Sequence, residues 1–127
     1  MPITVVDIAD MAVSRDPGGV LITYSLGSCI GVALWDPVVK VGGVLHFMLP
    51  ESQLAPEKAR HNPSMFCDTG VPKLFHVAGE LGATKERLVV RVAGGAQLLG
   101  DNGTFNIGKR NYAAIRQILW KGKRAKN

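Results

Sequence analysis

The sequence predicts a single α+β domain, on three observations. The first half is made of short runs rich in β-branched and aromatic residues, separated by turn-forming clusters. The second half holds two stretches with apolar residues at helical spacing. The 127 residues are 46% hydrophobic and 20% charged, which suits one buried core and a single domain over residues 1–127. No run approaches the ~18 apolar residues of a membrane span, so membrane insertion is not expected. Residues 1–13 lack the basic start and long apolar stretch of a secretory signal, which points to a cytoplasmic protein. Cys29 and Cys67 have no CxxC spacing, so neither a disulfide scaffold nor a zinc site is expected.

The elements follow in order. Asp16-Pro17-Gly18-Gly19 is a turn cluster, and Val20 to Tyr24 reads as a strand. Gly27-Ser28 breaks that run. Cys29 to Trp35 is a second strand, Asp36-Pro37 a turn, and Lys40 to Leu49 a third strand stopped by Pro50. Residues 51–63 are polar with two prolines and read as a loop placed to act as a lid. From Met65 to Leu81, Val71, Leu74, Phe75, Ala78 and Leu81 recur at helical spacing, with Gly82 as a stop and Pro72 either in the first turn or at a kink. Arg87 to Ala93 alternates as a strand that Gly94-Gly95 ends. Asn106 to Trp120 is a second long helix with Ile107, Tyr112, Ile115, Ile118 and Leu119 as its apolar stripe.

The net charge of +5 is not spread over a face. Lys109, Arg110, Arg116, Lys121, Lys123, Arg124 and Lys126 crowd the C-terminal segment with no acid among them, and the rest of the chain is slightly acidic. A nucleic-acid domain would interleave aromatics with such cations over a surface, so that partner class is not expected. Either residues 121–127 are a solvated basic tail, or the segment meets an acidic protein partner.

The chemistry sits in the hairpin. With Trp35 opposite Lys40 across a four-residue loop, Ile30 meets Leu45, Val32 meets Gly43 and Leu34 meets Val41 on an apolar face. On the other face Cys29 falls opposite His46, where Cα atoms are ~4.5–5.5 Å apart. A thiol beside an imidazole can be a nucleophile, its pKa lowered by the imidazolium. Gly27 and Ser28 would let substrate approach and turn backbone N–H groups toward an oxyanion. The other reading of Cys29 is a small buried hydrophobe, and spacing alone does not choose between them. His61 and His76 show no metal spacing with Cys67, and no metal or cofactor is called for. Asp68-Thr69 could cap the helix that carries Val71 or border a substrate cleft.

Five motifs in order, Leu26-Gly27-Ser28-Cys29, His46-Phe47-Met48-Leu49-Pro50, Asp68-Thr69, Gly94-Gly95-Ala96 and Asn106-Ile107-Gly108-Lys109-Arg110-Asn111, resemble the CheD family of chemoreceptor glutamine deamidases. The resemblance runs from about Asp10 to Trp120. It implies a layered sandwich of mainly antiparallel sheet with two long helices packed on it. It also implies a hydrolase with Cys29 as nucleophile, His46 as base and Thr23 as third member of a triad, and places Asp68 and Thr69 at the substrate cleft. The substrate it implies is the cytoplasmic domain of a chemoreceptor, deamidated through a thioester during chemotactic adaptation, with glutamate methylesterase as a side activity. The alternative it allows is a non-catalytic regulator that binds and stimulates the phosphatase CheC. Family members usually continue beyond the second long helix, whereas this sequence stops at Asn127; Ser25, Cys67 and Gly70 also depart from the usual residues.

Overall fold

Strands β4 (Ile30–Asp36) and β5 (Val41–Phe47) form the antiparallel hairpin expected around Pro37. The computed structural model describes residues 2–96 and 106–125, with side chains described as far as residue 121. β2 (Asp10–Ser14) flanks β5 and β6 (Val89–Gly94) flanks β4, giving a four-stranded sheet in the order β2-β5-β4-β6 with every neighbour antiparallel. β1 (Ile3–Val5) pairs in parallel with β3 (Val20–Ile22) as a separate two-stranded ribbon. Helices α2 (Cys67–Glu80) and α3 (Ile107–Ala125) pack on the sheet, as an α+β sandwich requires. No helix among the described residues is long and apolar enough to cross a membrane.

The hairpin register differs from the sequence expectation. Asp36 pairs with Val41, Ile30 with Phe47, and Gly31, not Cys29, lies opposite His46. The cause is the turn. Asp36 Oδ1 accepts the N–H groups of Val38 at 2.9 Å and Val39 at 3.4 Å, and Lys40 closes the loop in the left-handed region at φ 59°. Asp36 therefore ends β4 as a turn-capping residue, and the four-residue loop moves one position along. Each strand shifts by one, so side-chain parity survives and every residue keeps its assigned face. Ile30, Val32, Leu34, Val41, Leu45 and Phe47 all face the helices, against Cys67, Val71, Leu74 and Ala78 of α2 and Ile115 of α3.

Three further expectations change. Residues 51–63 are not an open lid: they carry a 3-10 turn (Ser52–Leu54) and the short helix α1 (Pro56–His61), and a second 3-10 turn (Pro63–Met65) leads into α2. Asp68 accepts the Ser52 N–H at 2.9 Å and its hydroxyl at 2.8 Å, and Asn62 Nδ2 donates to Ala9 O at 2.8 Å, so the segment is tied down at both ends. The supposed tail begins as helix, since α3 continues to Ala125; residues 126 and 127 lie outside the described residues. Tyr112 is exposed rather than part of the buried stripe, and Asn111 is buried beside it.

Asp36 is also the buried anchor of the hairpin end. Arg87 Nε reaches both of its carboxylate oxygens at 3.0 Å, and the Thr84 N–H adds a bond at 3.0 Å. The Arg87 guanidinium holds the Asp36 carboxyl well below the usual carboxylate range, against the opposing effect of burial. A depressed carboxylate contributes stability that is complete above its unfolded value of about 4 and is lost as pH falls toward the folded value. Asp36→Asn should therefore lower the urea midpoint at neutral pH and flatten its decline on acidification; parallel pH profiles for variant and parent would contradict this.

Candidate active site

His46 lies on the sheet face opposite the helices and is fully buried. Its Nδ1 is 2.8 Å from Thr23 Oγ1, and that same hydroxyl donates to the Val6 carbonyl at 2.6 Å. A hydroxyl has one proton. With it committed to Val6 O, Thr23 can only accept from His46, so Nδ1 carries the ring proton and Nε2 presents a bare lone pair. That Nε2 is buried and has no hydrogen-bond partner among the described residues. The Val6 carbonyl is fixed in turn, because the Val6 N–H donates to Ile22 O at 2.8 Å and seats the residue against β3. Gly31, the partner of His46 across the ladder, leaves room for this layer: a Cβ there would come within 3.1 Å of Leu26 and 3.6 Å of Thr23.

Cys29 stands one residue before β4, and the alternation of that strand carried back puts it on the His46 face, diagonal to the imidazole. It is half-buried. The approach is a tight turn: the Cys29 N–H donates to Leu26 O at 2.7 Å, and Gly27 sits at φ 50°, a left-handed first corner that glycine adopts freely. The Cys29 N–H is engaged within the turn, whereas the Ser28 N–H has no acceptor among the described residues.

The electrostatics also differ from the expected low-pKa thiol. Burial pushes the Cys29 thiol above its ordinary value and pushes the His46 imidazole below its own. Both shifts favour the neutral thiol and imidazole over a thiolate and an imidazolium. Cys67 is inert by comparison: fully buried in the core, its thiol is driven to about 12 by burial and by the Asp68 carboxylate.

Asp68 and Thr69 are placed elsewhere. Asp68 holds Ser52, and Thr69 Oγ1 donates to Pro63 O at 2.6 Å. Asp68 lines a cavity of about 340 Å³ with Pro50, Glu51, Cys67, Arg110 and Gln117, and none of Cys29, His46 or Thr23 borders it. Sequence reasoning missed the backbone supports. Gly95 N donates to Cys29 O and Ala96 N to Gly27 O, each at 2.9 Å. Gly94 is required there, because at φ 102° a Cβ would lie 2.2 Å from Cys29 O. Asn111 Nδ2 donates to Ser28 O at 2.9 Å and Met48 O at 2.8 Å. A signal for Asn111 existed: it is the polar residue spaced one helical turn from both Ile107 and Ile115, inside an apolar stripe.

A thiol, an imidazole of defined tautomer and an orienting hydroxyl on one face of an α+β sandwich are groups that can support hydrolysis by a thiol. The family described as CheD chemotactic sensory transduction matches residues 48–124. A probable chemoreceptor glutamine deamidase CheD 1 from Syntrophus aciditrophicus is 51% identical over 117 residues, 92% of this chain and 73% of the relative. A probable chemoreceptor glutamine deamidase CheD from Solibacter usitatus is 50% identical over 92% of this chain and 69% of the relative. The chemoreceptor glutamine deamidase CheD of Thermotoga maritima is 41% identical over 91% of this chain and 69% of the relative. The chain belongs to the CheD family.

Two outcomes follow from the site geometry. In the folded protein iodoacetamide should label Cys29 about tenfold or more faster than Cys67 near neutral pH, as exposure and thiolate access dictate. The Cys29 rate should fall as pH drops through the lowered His46 value, where protonation of Nε2 removes the acceptor for the thiol proton. Peptide mapping after timed labelling reads both; equal labelling of the two cysteines would refute the assignment.

Proposed function

We propose that this protein hydrolyses the side-chain amides of glutamine residues on chemoreceptors, leaving glutamate and releasing ammonia, with Cys29 as nucleophile, His46 as base and acid, and Thr23 as the residue that orients His46. The observation that carries this reading is the bare, buried Nε2 lone pair of His46, fixed by the Val6–Thr23 relay on the face that carries Cys29. The identity to named chemoreceptor glutamine deamidases supports the substrate class.

The steps follow from the neutral starting state. His46 Nε2 takes the Cys29 proton as sulfur attacks the amide carbon, so the thiolate exists only as the C–S bond forms. The carbonyl oxygen gains the negative charge and meets the Ser28 N–H. Imidazolium then delivers the proton to the departing nitrogen, the C–N bond breaks, ammonia leaves and a thioester remains. Water, deprotonated by the same Nε2, attacks the thioester; the C–S bond breaks, glutamate is released, and the thiol recovers its proton. Throughout, Thr23 accepts from Nδ1, which keeps the ring in one tautomer and disperses the imidazolium charge. A glutamate methyl ester fits the same path with methanol as leaving group, which makes methylesterase activity a side reaction.

Mass spectrometry of a receptor cytoplasmic fragment incubated with the protein tests this, through the mass change of replacing an amide nitrogen by oxygen. Cys29→Ala should abolish turnover, and His46→Gln should lower kcat by about 10²–10⁴-fold, the usual contribution of a positioned general base. Leu45→Ala should act otherwise: it faces the core, costs ~2–5 kcal/mol of stability and leaves the chemistry in the folded fraction intact. A Cys29→Ala protein that still deamidates would end the proposal. If the parent itself deamidates nothing yet binds and stimulates the phosphatase CheC, the regulator reading takes its place.

A further inference from the structure

We infer that Asn111 is a positioning residue for the nucleophile, whose carboxamide sets the backbone carrying Cys29 in register with the strand carrying His46. The inference rests on the reading of Cys29 as nucleophile given above. Asn111 is fully buried on α3, and its Nδ2 donates to two carbonyls, Ser28 O at 2.9 Å and Met48 O at 2.8 Å. Carbonyl oxygens only accept, so the amide group must face them and the orientation of the side chain is not ambiguous. Both Nδ2 hydrogens are committed, one on each side of the site.

The first bond acts on the peptide unit that precedes the Cys29 Cα. Ser28 O and Cys29 N belong to one plane, and the plane is held at both ends, by Asn111 and by Leu26 O at 2.7 Å. The following plane is held by Gly95 N on Cys29 O at 2.9 Å. Fixing the planes on either side of one Cα fixes its two soft dihedrals, and with them the direction in which the thiol leaves the chain. The second bond references this assembly to β5, since Met48 lies two residues beyond His46. One carboxamide thus spans the ends of the two strands that bear the proton donor and the proton acceptor.

Holding a thiol at a set distance from a base changes the rate of proton transfer and attack far more than it changes binding of a receptor surface. Asn111→Asp keeps the shape and replaces the donor by an acceptor; Asn111→Leu keeps the volume without any hydrogen bond. Ile115→Ala, one turn along the same buried face, is the control for loss of stability alone. Assayed as full-length chains on a receptor fragment, both Asn111 variants should lose about tenfold or more in kcat with KM changed less than about twofold, in line with a misplaced catalytic group. Their Cys29 alkylation profile with pH should lose the inflection due to His46 and converge on that of His46→Gln, while Ile115→Ala keeps the parent profile despite a lower Tm.

The alkylation arm does not depend on turnover, so it decides the role of Asn111 even if the parent proves to have no deamidase activity. Parent-like kcat or a parent-like alkylation profile in a folded Asn111 variant would overturn the inference. So would failure of both variants to fold where Ile115→Ala folds, which would assign Asn111 a structural role.

Discussion

The Thr23 hydroxyl has one proton to give, and the destination of that proton decides what His46 can do. If it pointed at the imidazole, Nδ1 would be the acceptor and Nε2 would carry the hydrogen, useless for taking a proton from a thiol. The Val6 carbonyl at 2.6 Å prevents this. Val6 owes its place to the parallel pairing of β1 with β3, continued by its own N–H on Ile22 O. A minor two-stranded ribbon therefore sets the tautomer of a residue in the main sheet. The arrangement is costly in stability, since a buried ring nitrogen without a partner forfeits about 1–3 kcal/mol of desolvation. An unpaired acceptor of that kind is what a general base needs and what a purely structural histidine would avoid.

Burial acts on the pair in a way that a preformed ion pair would not. It raises the Cys29 thiol and lowers the His46 imidazole, and both shifts oppose a standing thiolate–imidazolium pair. A standing thiolate would be open to oxidation at all times, because susceptibility follows thiolate character. On the proposed mechanism, a neutral pair confines nucleophilicity to the encounter with substrate. The cost is that no electrostatic attraction draws thiol and imidazole together beforehand, and in the structure no hydrogen bond joins them. Geometry must then come from the backbone, which is why the peptide planes around Cys29 are held from three directions.

What could be read in the sequence was what local patterning controls. The faces of β4 and β5, the two long helices and the strand before Gly94 follow from periods of two and 3.6 residues, which act over a few neighbours. The register was misplaced because a single side chain, Asp36, folds back on Val38 and Val39 and moves the turn, an event the hydrophobic pattern does not record. β1 and β2 escaped notice for another reason: with three and five residues, mostly exposed or half-buried, they carry too little pattern to rise above the turns around them. Thr23 followed from family resemblance and not from spacing, since its bond to His46 closes across 23 residues. The cations read as a tail turn out to lie in part within α3, where Lys121, Lys123 and Arg124 occupy positions in the last turns, the end of a helix at which cations suit its dipole. That is a structural reason for their presence independent of any partner.

The groups proposed to react and the groups that hold them come from different parts of the chain. Thr23, Cys29 and His46 lie within residues 23–46. From the second half of the chain come the groups that hold the turn before Cys29: Gly95 on Cys29 O, Ala96 on Gly27 O and Asn111 on Ser28 O. Gly94 belongs with them, as the one residue type whose backbone can approach Cys29 O so closely. The second half of the chain is thus tied to the Cys29 turn through the backbone carbonyls of residues 27–29. Each of those contacts joins residues 27–29 to residues 94–111, so the turn before Cys29 is held in this way only when β6 and α3 are docked against β4.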